Sequence, residues 1–247
     1  MGLLDVFDKE KRRKNAIARN IRKLQQKYGQ SDIRSRAVVA LRDDGSEEAI
    51  YGLLQRYKVS VDPSITDQEE KQWVREVVAD FGTQAIGPIS KFVHREAEVM
   101  WPLRILADIR GTGEAVELAC ETLRKAASEY QRDHTKKVTL LKHLVALEAS
   151  RPEVVETVEL LLEDMDGDTV IAAVEALARL DEKGESRNKV LEVLKERGRE
   201  NIRLKLEIFR VLVETGWSVK GFRPTVEELL EEPFYLTGDG IMKQREG

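Results

Sequence analysis

Three histidines, one cysteine and a short run of aspartates are the residues of this 247-residue chain from which chemistry could be built. His94, His134 and His143 are followed by Arg95, Thr135 and Leu144, so none stands in a His-Glu pair, and three scattered imidazoles make no dense ligand shell. The run Asp164-Met165-Asp166-Gly167-Asp168, with Ile171 and Glu175 beyond it, places acids where a calcium-binding loop has its first, third, fifth and last ligands. That loop needs glycine at its sixth position, and Thr169 stands there, a β-branched residue that disfavours positive φ. Helical spacing through Val170, Val174, Leu177 and Ala178 begins inside the supposed loop. The run therefore reads as a turn between helices, with Gly167 at the bend and Asp168 as N-cap. Cys120 sits among apolar helical positions with no activating pattern around it, and reads as a small buried core residue. No Gly-x-Ser-x-Gly turn is present. No catalytic, cofactor-binding or metal-ligating residue is expected, and no cofactor.

What remains is charge. The net charge is -4, but residues 1–36 hold eleven Lys/Arg against four Asp/Glu, a net of +7, which leaves 30 against 41, or -11, on the rest. The positive end is concentrated at Lys11, Arg12, Arg13 and Lys14, the negative body between Glu148 and Asp168, where Glu153, Glu156, Glu159 and Glu163 recur along one segment. These eight residues are the candidate partner-binding positions: a basic cluster that seeks an anionic surface, and an acidic one that suits a basic partner segment or serves as a solvated helix face. An acidic body offers no long-range attraction to phosphate backbones, so nucleic acid is disfavoured as a partner.

The elements that must carry these charges are helices. Only 6% of residues are aromatic and 35% are charged, with six prolines, and the β-branched alternation of a sheet is missing. A phrase recurs at Glu48-Ala49-Ile50, Gln84-Ala85-Ile86, Glu114-Ala115-Val116 and Glu153-Val154-Val155, at separations of 36, 30 and 39 residues. Apolar residues follow each phrase at helical spacing, as in Ile50, Leu53, Leu54 and Tyr57. A partner helix precedes each one, and Gly45, Gly82, Gly111, Gly184 and Gly216 follow those first helices, where a left-handed residue closes a helix most cheaply. Ser46 and Thr66 are the expected N-caps, and Pro102 falls in a first turn. Pairs are expected near 32–58, 67–96, 100–130, 134–164, 168–197 and 200–232.

The Ala/Leu, Gly, Glu-Ala-Ile/Val phrase, clearest from Val39 to Ile50 and from Leu106 to Val116, resembles the short HEAT-like repeats also seen in phycobilisome-lyase-type proteins. It covers residues 30–232 and weakens in the last two pairs. The resemblance implies an all-α, right-handed α-solenoid of about six helical hairpins acting as a non-catalytic, cytoplasmic protein-interaction scaffold. HEAT-like di-iron hydroxylases use repeated His-Glu pairs that this chain lacks. The enzymatic alternative is a HEAT-like DNA glycosylase, with Trp73, Trp101 and Trp217 offered as stacking residues. Trp73 shares an apolar stripe with Val74, Val77, Val78 and Phe81, so core packing is expected of it.

The chain divides into a basic amphipathic helix over 1–30, the repeats over 31–232 and a tail over 233–247. Residues 1–30 lack the cleavage site of a signal peptide, and Val6 stands where a myristoylation signal has Ser or Thr. Three roles compete for this helix: a cap on the first repeat, an anchor on an anionic membrane surface through Leu3, Leu4 and Phe7, or an arm that docks a partner. The tail reads as a β-hairpin turning at Gly238-Asp239-Gly240, folded over the last helices or added to a partner.

Overall fold

The computed structural model describes the backbone of residues 3–129 and 134–245 and the side chains of 9–129 and 134–245. Among these residues the chain is all-α apart from one small hairpin. Helix α1 (Leu3–Leu24) is followed by α2 (Ser31–Asp44), α3 (Glu47–Leu54), α4 (Ser64–Ala79), α5 (Ile86–Arg95), α6 (Met100–Arg110) and α7 (Thr112–Ser128). Then come α8 (Thr135–Ala146), α9 (Pro152–Glu159), α10 (Gly167–Leu180), α11 (Arg187–Arg197), α12 (Ile202–Thr215) and α13 (Arg223–Leu229). Strands β1 (Phe234–Leu236) and β2 (Met242–Gln244) close the chain. Two compact units, 1–118 and 119–247, divide within α7.

The apolar residues that follow each recurring phrase are the core. Ile50, Leu53 and Leu54 are fully buried with Tyr57 beside them, as are Ile89, Phe92 and Val93 of α5 and Val158 and Leu161 of the α9 segment. Each such side chain contributes about 1.5–3 kcal/mol by leaving water. Cys120 of α7 is buried as well. The five turn glycines all have positive φ, between 55° and 91°, and Gly45 and Gly216 close α2 and α12 in the left-handed conformation that a side chain would strain.

Two caps differ from expectation. Ser46 does accept a hydrogen bond from the Ala49 N–H. Thr66 caps nothing, because α4 starts at Ser64 after Pro63 and Thr66 lies inside its first turn. Asp166, and not Asp168, caps α10: its carboxylate accepts from both the backbone N–H and the hydroxyl of Thr169, at 2.8 and 2.7 Å. Starting α10 at Gly167 places Asp168 two residues past the cap position, too deep to serve.

In the first unit α1 packs across α2 and α3, α3 against α5, and α4 against α2 and α6. Ile17 and Leu24 are the buried face of α1. The docking depends on Gly52 inside α3, where an added Cβ would lie 2.9 Å from Ile21 Cγ1. Glycine within a helix costs roughly 1 kcal/mol relative to alanine. Here it lets two helices close on each other.

This unit also buries charge. Arg56 is fully buried and donates to Glu70 at 3.0 Å, Asp67 at 2.7 Å and the Val59 carbonyl at 2.7 Å. Arg34 of α2 grips Glu70 with two nitrogens, each at 2.8 Å, and Lys71 reaches Asp67 at 2.6 Å. Burial pushes the Asp67 carboxyl up, but hydrogen bonds from Lys71, Arg56 and the Val61 N–H outweigh it and hold the group below its ordinary value. Glu70 behaves likewise: burial raises it, and hydrogen bonds from Arg34 and Ser31 with the charge of Arg56 lower it further. Three segments are joined by this network: α2, the turn Gln55–Lys58 and α4.

In the second unit α10 packs between α8 and α12 and against α9, while α11 packs against α12 and α13. Hydrogen bonds there recur about one repeat apart. Arg124 donates to Thr157 (33 residues), Ser150 to the Leu180 carbonyl (30), Arg187 to the Ser218 carbonyl (31), and Lys189 to Glu159 (30). The terminal hairpin pairs Phe234 with Gln244 and Leu236 with Met242. It folds onto the last helices: Phe234 meets Phe209 of α12 edge-on at 5.4 Å, and Ser218 bridges to Ile241.

Candidate binding grooves

A hollow of about 500 Å³ lies in the first unit where α1, α3 and α5 meet. Its walls follow from the helical periodicity of three segments. Ile17 comes from the buried face of α1 and Ala18 and Ile21 from the flank beside it, Tyr51 from α3, and Gly87 and Pro88 from the first turn of α5. Tyr51 is held in place from three sides: its hydroxyl bonds Glu96 at 3.2 Å, its ring tilts on Phe92 at 5.9 Å, and the Lys91 ammonium lies 5.1 Å above it. Burial, then the nearby Glu96 charge, pushes the Tyr51 phenol up, so it stays neutral and serves as an apolar wall. Nothing lies within 4 Å of where a Gly87 side chain would begin, so the groove is open there. The rim mixes signs, with Lys14 and Lys91 against Glu47 and Glu48.

The four basic candidates separate in space. Arg13 lies 3.8 Å from Asp44 and 3.6 Å from Glu48, Lys14 pairs with Glu10 at 2.8 Å beside the groove, and Lys11 and Arg12 are exposed. The basic surface continues along α1 through Arg19, Arg22 and Lys23, all exposed. Their spacing from Arg12, seven and eleven residues to Arg19 and Lys23, was the signal for them. Leu3, Leu4 and Phe7, offered as a membrane anchor, lie outside the described side chains.

The acidic candidates do not form one site either. Glu153, Glu156 and Glu163 are exposed, while Glu159 is bound to Lys189 at 2.6 Å. Glu156 and Glu159 line a cleft with Arg151 and Lys183, and Glu153 and Glu163 stand outside it. The aspartate run also disperses: Asp164 binds Lys137 at 2.7 Å, Asp166 caps Thr169, and Asp168 binds Arg203 at 2.5 Å. Among the described residues no group of three or more His, Cys, Asp or Glu could hold a metal ion.

Along α8, α10 and α12 two further hollows share Lys142, Ala172 and Glu175. Burial, reinforced by Glu207, pushes the Glu175 carboxyl up. Arg203 and Asp168 stand on the walls, so these hollows too have mixed rims. Of the tryptophans, Trp101 stacks on Tyr57 at 5.6 Å with planes 5° apart and takes Arg104 on its ring. Trp217 covers Gly184, whose Cβ would fall 2.8 Å from the indole nitrogen. Trp73 is half-buried beside the buried Val74, Val77 and Val78.

No helix among the described residues is long and apolar enough to cross a membrane. No family model, curated protein or solved structure matches the chain.

Proposed function

We propose that the chain is a right-handed solenoid of six HEAT-like hairpins, working in the cytoplasm as a non-catalytic scaffold that holds a protein partner. Support for the architecture comes from the helix order and from hydrogen bonds that recur 30 to 33 residues apart in the second unit, as stacked copies of one hairpin require. Scattering checks it. A compact domain of this length has a radius of gyration of roughly 18 Å. A clearly larger value supports the solenoid, and roughly 18 Å overturns it.

The observation that carries the function is the groove of α1, α3 and α5. It is an apolar trough with a fixed aromatic wall and charges of both signs on its rim, suited to an apolar segment with polar flanks. A glycosylase would need a contiguous Lys/Arg stripe around a carboxylate, and the grooves described here alternate their charges. The test is Gly87→Trp. The site is open at the Cβ, so a side chain can leave the helix there without meeting a neighbour; an indole is large enough to obstruct the trough, and replacing a helical glycine maintains or raises stability. Proteins retained by the wild-type chain from a native lysate are expected to be lost by the variant. Equal retention overturns the groove as the site, and no specific retention by either overturns the scaffold.

A further inference from the structure

The outward face of α1 has a ligand chemistry of its own, separate from the groove on its flank. Ile17 and Leu24 fix which side of the helix is buried. Successive residues turn by about 100°, so Lys11, Arg12, Arg19 and Arg22 fall on the opposite side, with Lys23 at its margin. All five are exposed. From Lys9 to Lys27 the chain has nine Lys/Arg against one acid, Glu10. Arg22 turns back to the Ala18 carbonyl at 3.3 Å, and neither Arg19 nor Lys23 is held in an ion pair by the described residues. The result is a straight basic ridge about 18 Å long from Lys11 to Lys23. It ends near Tyr28, which is 92% exposed with Lys27 5.6 Å from its ring.

We propose that this ridge docks the protein on an anionic lipid surface. Shape chooses that partner among polyanions. A helix lying in a nucleic-acid groove has phosphates on both sides, and the flanks of α1 adjoin acidic residues: Asp44 and Glu48 lie within 3.8 Å of Arg13, with Asp43 and Glu47 next to them in sequence. A plane touches only the ridge and leaves those carboxylates at a distance. Tyrosine with an adjacent lysine at the ridge's end suits the headgroup layer, where an amphipathic ring keeps its hydroxyl wet. The rest of the first unit, residues 37–118, holds nine Lys/Arg against fifteen Asp/Glu, net -6, and is repelled by the same surface, so the unit docks through the ridge in one orientation.

Each Lys or Arg close to an anionic membrane strengthens binding about fivefold. The experiment is co-sedimentation of the full chain with vesicles of phosphatidylcholine alone and of phosphatidylcholine with phosphatidylglycerol. Binding is expected to the anionic vesicles only and to weaken as salt rises through physiological ionic strength, where screening acts over about 8 Å. The triple variant Lys11→Glu/Arg19→Glu/Lys23→Glu is expected to bind at least about a hundredfold more weakly with an unchanged melting temperature. Should it melt early, the neutral triple variant to Gln serves instead, with a smaller loss. Gly87→Trp should bind vesicles as wild type does, which separates this proposal from the groove. Equal binding to both vesicle types overturns it, as does undiminished binding by a folded triple variant. So does capture by duplex DNA or an acidic polypeptide at a salt concentration where anionic vesicles are ignored.

Discussion

The two units differ in how far they gather charge into one buried cluster. In residues 1–118 three cations and two carboxylates are taken out of water together, with Arg56 fully buried at their centre. In residues 119–247 Lys137 and Asp164 form a buried pair without such a cluster, and many ion pairs stay at the surface: Arg203 with Asp168 and Arg179 with Glu214 both join groups that are largely exposed. A buried network binds few segments strongly and fails when one member is removed, because the partner charges are then stranded. Exposed pairs each contribute little and are screened by salt. The same contrast governs the hollows: the trough beside α1 is apolar within a charged rim, whereas those along α8, α10 and α12 carry charge on their walls.

The largest expected effects come from putting a new charge where neither unit has a counter-charge. Leu144 and Val174 are fully buried, and changing either to Asp should cost about 4 kcal/mol or more, read as a large drop in the thermal midpoint. An unchanged midpoint would contradict the burial described. Next comes Arg56→Ala, which empties a fully buried site, takes one of two cations from each of Asp67 and Glu70, and should cost about 3–5 kcal/mol. Its counterpart Arg203→Ala should stay within about 1 kcal/mol. Comparable losses in urea unfolding would remove the distinction between the units.

Gly52→Leu sharpens the same comparison. Its side chain collides with Ile21, so α1 must shift at a cost of about 1–3 kcal/mol, and hydrogen exchange should accelerate in residues 17–24. Exchange confined to its wild-type rate would mean that α1 does not depend on that close approach.

The pH dependence is subtler. Asp67 and Glu70 have pKa values lowered by folding. Their contribution is fully present above the unfolded carboxylate values, near 4, and is lost as pH falls through the lower folded values. Glu175 is shifted upward, so its ionisation opposes folding, and that penalty disappears as pH falls. Acid should therefore weaken the first unit while relieving one strain in the second. A stability that is flat from pH 6 to 3, with Glu175→Gln indistinguishable from wild type, would contradict both signs.

The helices were legible because their spacing is local: the recurring phrases and turn glycines report backbone needs that each segment meets alone. Caps were less legible, since Thr66 and Asp168 are good capping residues set one or two positions inside their helices. The buried network was missed, although it left a trace. Arg34 falls on the stripe of Ala37, Val38 and Leu41, and Asp67, Glu70 and Lys71 on that of Val74, Val77 and Val78. A charge at a core position signals a partner in another segment, and sequence does not say which. The groove was invisible for the same reason. It is made by three helices meeting, and its open point is a glycine that looks like a weak helix residue until its empty surroundings are known.

The central claim is that the trough of α1, α3 and α5 receives an apolar segment of another protein. A photo-crosslinking residue placed at the exposed rim position 47 tests it most directly, with the same residue at the exposed position 192 of α11 as reference. The account predicts discrete protein adducts from position 47, suppressed by an excess of unlabelled wild-type chain, and none above background from position 192. Equal adducts from both positions, or none from position 47, would contradict it.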